Sequence, residues 1–297
     1  MQREVGVLGT GRMGSAIALN LLSKGYRVHV YNRTRAKLEP LVRAGAVAHD
    51  TPASLAASAD VVMTSLTDHV ALHAVLEGEK GLLSALEEGH ALIEMSTIGA
   101  EESAALSSLV RTKGITWIDS PVFGGPSLIR QGRALLLVGA EKADFDKYRA
   151  FLQELGSPIY LGGVTSGHRL KLALNLYLAL HTLALCEAMA LSIKLGFPPD
   201  VIIEVINASH HKSGLTENKG RRMAKGDFSP TFTLNHMLKD VNYAYRAAER
   251  TGAVLPLTSL GKELYRLASL KELGELDYSA VLLLLSQLSG IEFRSNA

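Results

Sequence analysis

The chain holds a single cysteine, Cys186, among its 297 residues. That excludes an internal disulfide. Cys186, set in an apolar helical stretch, reads as a buried, inert thiol. An excess of charge is missing too. There are 31 Lys+Arg against 29 Asp+Glu, a net charge of +2, and the two signs are interspersed. A nucleic-acid partner calls for a concentrated basic face, so none is expected. Low-complexity tracts and internal repeats are absent from the sequence. So is an apolar run of membrane length. The most apolar segment, Leu170–Leu191, is broken by Lys171, Asn175, His181 and Glu187, and its charge-free part is only Leu172–Cys186. A bilayer span needs ~20 apolar residues, so no membrane partner is expected. The segment reads as the core helix of a helical domain or as a subunit interface. The first strand pattern opens within a few residues of Met1, leaving no room for a signal peptide, and the expected compartment is the cytoplasm. His210 and His211 lack a carboxylate or cysteine at ligand spacing. They read as a helix-end surface pair, and no metal is expected.

What is present begins at the N-terminus. An apolar strand, Glu4–Leu8, runs into Gly9-Thr10-Gly11-Arg12-Met13-Gly14, and a helical pattern follows. This is the dinucleotide-binding spacing in its required strand–turn–helix context. Gly9 allows the tight turn, Gly11 lets the backbone approach a pyrophosphate, and Gly14 lets helix and strand pack closely. The helix N-terminus then holds the anion. After the second strand, Arg27–Tyr31, comes Asn32-Arg33-Thr34-Arg35. An NAD-preferring site usually has Asp or Glu here, on the ribose 2′-OH. No carboxylate is present to repel a 2′-phosphate. Arg33 can make forked or stacking contacts, Thr34 can donate a hydroxyl, and Arg35 adds charge. The expected cofactor is NADP(H) rather than NAD(H).

Hydrophobic residues are 47% of the chain, ample for a large core, and the length suits two domains. Over residues 1–164, short apolar strands (4–8, 27–31, 61–65, 91–95, 116–119, 134–138, 158–161) alternate with amphipathic helical stretches. That pattern predicts an α/β, Rossmann-type, doubly wound and mainly parallel sheet covered on both faces. After Gly162-Gly-Val-Thr-Ser-Gly167 strand signals nearly vanish. Long helical patterns fill 165–297, predicting an all-α domain for substrate binding and oligomerisation. The active site is expected in the cleft between the two.

Lys171 and Asn175 lie four apart near the start of the longest helical pattern, on one face. An ammonium among apolar neighbours is costly without partners or a task. A partly buried lysine can pass a proton to a developing alkoxide, with Asn175 orienting the substrate beside it. Spacing alone equally allows a snorkelling lysine and a locally satisfied asparagine. Two strand-end loops offer anion grips. Ser96 and Thr97 follow the strand at 91–95, where ligands gather in open α/β sheets. The run Asp119-Ser-Pro-Val-Phe123-Gly124-Gly125-Pro126 offers bare backbone N–H groups suited to a carboxylate, or is a turn needed only for connectivity.

Taken together, these motifs resemble the β-hydroxyacid dehydrogenase family, which includes 3-hydroxyisobutyrate dehydrogenase and the glyoxylate/succinic semialdehyde reductases. The likeness runs nearly end to end. It covers Gly9-x-Gly11-x-Met13-Gly14, Ser96-Thr97, Asp119-x-Pro121-Val-x-Gly-Gly125, Gly167-x-x-x-Lys171-Leu-x-x-Asn175, Gly226-Asp-Phe228 and Lys239-Asp240. The resemblance implies that Lys171 is the general acid/base and Asn175 its substrate-orienting neighbour. It places Ser96 and Phe123-Gly124-Gly125 on the substrate carboxylate. Thr97 and Lys239 would meet the nicotinamide half, and Ser65 and Leu66 the ribose and pyrophosphate. It implies a small hydroxy acid or semialdehyde as substrate and a homodimer or homotetramer. Without it, Lys239-Asp240 reads as ordinary surface charge. One departure stands out. Phe123 replaces the family's usual small polar residue: either it removes a carboxylate donor and narrows the pocket, which suits a bulkier or less polar carbonyl substrate, or its ring rotates away and leaves the backbone N–H groups to do the binding. An imine reductase and a non-catalytic NADPH-binding protein are the other readings, and both tend to lack the lysine retained here at Lys171.

Overall fold

The computed structural model describes residues 4–292. Its contacts divide the chain into two compact units between Leu172 and Ala173, inside one long helix, Ser166–Lys194.

In the first unit, six strands form a wholly parallel sheet: β1 (Glu4–Leu8), β2 (Arg27–Tyr31), β3 (Val47–Ala48), β4 (Val61–Thr64), β5 (Ala91–Glu94) and β6 (Thr116–Asp119), in the order β3-β2-β1-β4-β5-β6. Alternate side chains serve opposite faces. Val5, Val7, Val28, Val30, Ile93 and Ile118 join one core, and Leu8, Val62, Leu92 and Trp117 the other. The chain reverses its winding direction between β1 and β4, the switch point at which ligands bind in such sheets. Helix α1 (Arg12–Ser23) starts there.

The last strands do not extend this sheet, as a single sheet would require. β7 (Val122–Phe123), β8 (Ala134–Val138) and β9 (Gly156–Tyr160) form a separate three-stranded sheet, with β7 antiparallel to β8 and β8 parallel to β9. A bridge between Asp119 and Gly139 links the two sheets. The sequence pattern missed β3 and β7, which have two residues each, and the short helix Pro126–Arg130, which is little more than one turn, because such elements carry no measurable periodicity.

The second unit is helical. Helices Pro199–Ala208, Leu234–Thr251, Pro256–Ala268 and Val281–Leu288 join the long helix around a core that includes Cys186, Met189, Phe228, Met237 and Tyr265. A wide helical turn, Thr216–Gly220, runs directly into the short helix Arg221–Ala224. By length and mean hydropathy (1.6) the long helix could cross a bilayer. Its buried side chains nevertheless include Lys171, Asn175 and Thr182, and Ala179, Leu183, Leu185, Cys186 and Met189 pack into the helical core.

Candidate active site

The glycine loop follows β1 directly. Gly9 sits at φ +90°, and a Cβ there would lie 2.3 Å from the Ser65 carbonyl oxygen. A Cβ on Gly14 would lie 1.8 Å from the Gly9 carbonyl oxygen. Both positions exclude a side chain. Gly11 is different, since a Cβ there meets nothing within 4 Å. The protein's own packing does not demand that glycine, whereas a ligand approaching the backbone would. Helix α1 receives no side-chain cap at Gly11, and Thr10 Oγ1 is buried without a hydrogen-bond partner. Uncapped N–H groups, an orphaned hydroxyl and a bare backbone fit a dinucleotide pyrophosphate. Beside them, Arg12 is exposed and Met13 half-buried.

Asn32, just beyond β2, has a structural task that the sequence did not reveal. Its Oδ1 accepts from the Thr10 N–H (3.1 Å), and its Nδ2 donates to the Thr34 carbonyl (3.0 Å). The glycine loop and the β2 loop are thereby tied together. Arg33 and Thr34 are exposed, and Arg35 is ion-paired with Asp50.

The ends of β4 and β5 are joined by a buried network. The Ser65 N–H donates to the Leu8 carbonyl (2.9 Å), and the Leu66 N–H to Ser96 Oγ (2.8 Å). The Ser96 N–H donates to Glu94 Oε1 (2.6 Å), and the Thr64 hydroxyl to Glu94 Oε2. Half-buried Thr97 comes next. Sequence reasoning passed over Glu94. Its burial is complete and pushes its carboxyl up to about 7, against the hydrogen bonds from Ser96 and Thr64.

A carboxyl raised from 4.5 to about 7 on folding leaves the folded state holding the extra proton between those values. Stability from this group is present at low pH and is lost as pH rises through 7. Glu94→Gln mimics the protonated form. Relative to wild type, its Tm should rise by roughly 3–5 °C between pH 5.5 and pH 8. His29 and His49, both held below the ordinary histidine value chiefly by burial, act in the opposite sense as pH falls. The difference between the Glu94→Gln and wild-type melts cancels their contribution, and an unchanged difference across that range would count against a neutral Glu94.

On β7, Phe123 is half-buried, and its ring centroid lies 5.3 Å from Lys171 Nζ, within cation–π range. Gly124 follows at φ +141°, and both it and Gly125 are exposed. Lys171 is 8% exposed. Asn175, one turn further along the same helix, is 3% exposed. Its Nδ2 donates to Asp240 Oδ2 (2.6 Å), and Asp240 Oδ1 pairs with Lys239 Nζ (2.9 Å). Asp240 is thus a buried anchor rather than a surface charge. The signal was available, because Leu234, Met237, Val241, Ala244 and Ala248 form the helix's buried stripe and Asp240 falls on it.

Ser103, His168 and Asp119 are also assembled in full burial. Ser103 Oγ lies 2.7 Å and Asp119 Oδ2 3.9 Å from the same ring nitrogen, Nδ1. A nucleophilic triad uses opposite nitrogens and an accessible hydroxyl, so this group is not a hydrolytic centre. His210 and His211 lie exposed just past the end of a helix, and no group of three metal-ligating side chains forms among the described residues.

Comparison with known proteins converges on one family. The NAD binding domain of 6-phosphogluconate dehydrogenase matches residues 4–163, and the NAD-binding domain of NADP-dependent 3-hydroxyisobutyrate dehydrogenase matches residues 165–285. The chain belongs to the β-hydroxyacid dehydrogenase family. Among β-hydroxyacid dehydrogenase relatives, 2-(hydroxymethyl)glutarate dehydrogenase of Eubacterium barkeri is 30% identical over 97% of this chain and 96% of its own length. Glyoxylate/succinic semialdehyde reductase 1 of Arabidopsis thaliana is 31% identical over 94% of this chain and 97% of its own. The 3-hydroxyisobutyrate dehydrogenase of Mycobacterium tuberculosis, solved with L-serine, superposes with a TM-score of 0.83 at 25% identity, over 96% of this chain and 99% of that one. The protein is accordingly an NAD(P)-dependent oxidoreductase acting on a CH–OH group and using a nicotinamide cofactor.

Proposed function

We propose that this β-hydroxyacid dehydrogenase is NADP-dependent and interconverts a 3-hydroxy acid and its semialdehyde, with Lys171 as general acid/base. The observation that carries this reading is a buried lysine on the long helix, one turn from buried Asn175, with its ammonium 5.3 Å from the centre of the Phe123 ring. A buried ammonium is kept in place by partners or by a task, and the substrate oxygen would supply the task. The bound cofactor supplies the hydride acceptor or donor. Lys171 gives a proton to the carbonyl oxygen in reduction and takes it from the hydroxyl in oxidation. Asn175, its Nδ2 already held by Asp240, is oriented to steer the substrate oxygen. Ser96 and the backbone of Gly124-Gly125 hold the carboxylate. Thr10, Gly11, Arg12, Met13, Gly14, Ser65 and Leu66 hold the pyrophosphate and ribose, while Thr97 and Lys239 serve the nicotinamide half, Lys239 on the strength of the resemblance alone.

Preference for NADP rests on Asn32-Arg33-Thr34. With Arg35 engaged by Asp50 and Asn32 engaged by Thr10 and Thr34, Arg33 is the cation left to meet a 2′-phosphate. Arg33→Ala should raise the KM for NADPH about 10-fold and leave that for NADH within about 2-fold, as expected for one charge-assisted contact of ~1.5 kcal/mol. Equal changes for both cofactors would remove this assignment.

The ring of Phe123 lies over the ammonium, which favours a less polar or bulkier chain beyond the carbonyl. Glyoxylate or succinic semialdehyde reduction is the second reading, favoured by the likeness to the Arabidopsis reductase. Relative kcat/KM for glyoxylate, succinic semialdehyde, 3-hydroxyisobutyrate, 3-hydroxypropionate and serine, each with NADPH or NADP+, separates the two. Exposed Leu191, Leu195 and Phe197 at the end of the long helix, with Leu257 and Leu260 on Pro256–Ala268, support a homodimer or homotetramer.

A further inference from the structure

Asp119 stands at the C-terminal end of β6, in register with Glu94 of β5, and is fully buried. Its carboxylate reaches the first turn of the long helix. Oδ1 accepts from the Thr165 N–H (2.7 Å) and Oδ2 from the His168 N–H (3.1 Å). These are donors that a helix start would otherwise leave unsatisfied, and a negative charge there complements the helix dipole. The closeness depends on two bare backbones. A Cβ on Gly139 would lie 2.5 Å, and one on Gly167 2.8 Å, from Asp119 Oδ2. Thr165 is held at φ +75°, a conformation that costs a β-branched residue energy and persists only where its surroundings over-determine it. The backbone of Asp119 is fixed as well, exchanging both hydrogen bonds with Gly139 (3.0 and 2.9 Å). A second tether comes from Ser103 Oγ, 2.7 Å from His168 Nδ1, which joins the same turn to the Ala100–Arg111 helix.

Lys171 lies three residues beyond His168, less than one turn along the helix. We propose that Asp119 is a positioning residue for the reaction: by clamping the first turn of the long helix to the end of β6, it sets where the Lys171 ammonium stands relative to the strand ends that carry Ser96 and Phe123. The proposal rests on the acid/base reading of Lys171. Asp119 touches no reacting atom. It acts through the rigid first turn, and Ser103 supports that turn through His168. Replacing one carboxylate oxygen by an amide nitrogen sets a donor against a donor and frees one end of the clamp.

The test is a double-mutant cycle in the rate of NADPH oxidation, measured in single turnovers on the full chain with succinic semialdehyde as the carbonyl probe. Asp119→Asn should lower the rate about 30-fold while the Kd for NADPH stays within about 3-fold of wild type. In the Lys171→Met background the same change should have no further effect, because a clamp has nothing to position once the ammonium is gone. Ser103→Ala, which leaves Asp119 in place, should show the same pattern with a smaller loss of about 5-fold, and it decides the matter if Asp119→Asn does not fold. A rate loss that persists undiminished without Lys171, or an Asp119→Asn enzyme within about 2-fold of wild type, overturns the proposal. Full turnover by Lys171→Met alone strikes the acid/base reading instead, so the two failures are distinguishable.

Discussion

Lys171→Met should bind NADPH with near wild-type affinity and turn over about 10²–10⁴ times more slowly, the range that a positioned general acid/base contributes. Methionine keeps the length and much of the apolar stem, so the change removes the ammonium with little loss of packing. The site is 8% exposed, and burying a thioether there is no burden, so the Tm should hold or rise. Fluorescence titration of NADPH, thermal melting and steady-state rates on the same preparation separate the three effects. Near-normal kcat in a folded, cofactor-binding Lys171→Met enzyme would contradict the assigned role. The cation–π contact with Phe123 is lost as well, but at ~0.5–2 kcal/mol it cannot account for a loss of several decades.

The second large effect contrasts two glycines three residues apart. Gly14→Ala places a Cβ 1.8 Å from the Gly9 carbonyl oxygen. That overlap is with backbone, so no side-chain rotation relieves it. The loop must move, at a cost of about 3 kcal/mol or more in stability, and cofactor binding falls with it. Gly11→Ala meets open space instead. The cofactor-free protein should melt within about 2 °C of wild type, yet NADPH should bind about 100-fold more weakly, a loss of ~2.7 kcal/mol, and should give correspondingly less thermal stabilisation. Melting curves with and without NADPH distinguish the two glycines. Equal behaviour of the variants would mean that Gly11 serves the fold rather than a ligand.

Much of this is readable from residue order. The strand–Gly-x-Gly-x-x-Gly–helix unit, the alternation of strand and helix periods, and the change to helical patterns after Gly167 are local signals, repeated within a few residues of one another. They place the parallel sheet and the helical region that follows it correctly. The functions of Glu94, Asp119 and Asp240 are not readable in this way. Each is one acidic residue among 29 Asp+Glu, and what sets it apart is a partner remote in sequence: Thr64 for Glu94, Thr165 and His168 for Asp119, and Asn175 for Asp240, whose burial alone the helix period does reveal. Asn32 is a related case. Its position after β2 marks it as a cofactor contact, and the fold shows its amide spanning Thr10 and Thr34.

Residue order settles the strand–glycine loop–helix unit at the N-terminus, the α/β architecture and the one-turn spacing of Lys171 and Asn175 on the long helix, because each depends on spacing along a single element. Three outcomes emerge only in the folded chain. The last three strands leave the main sheet, Phe123 turns its ring toward Lys171, and buried carboxylates fasten the strand ends and the helix start. Those outcomes depend on which distant backbone donors a desolvated side chain can reach, and chain order does not encode that distance.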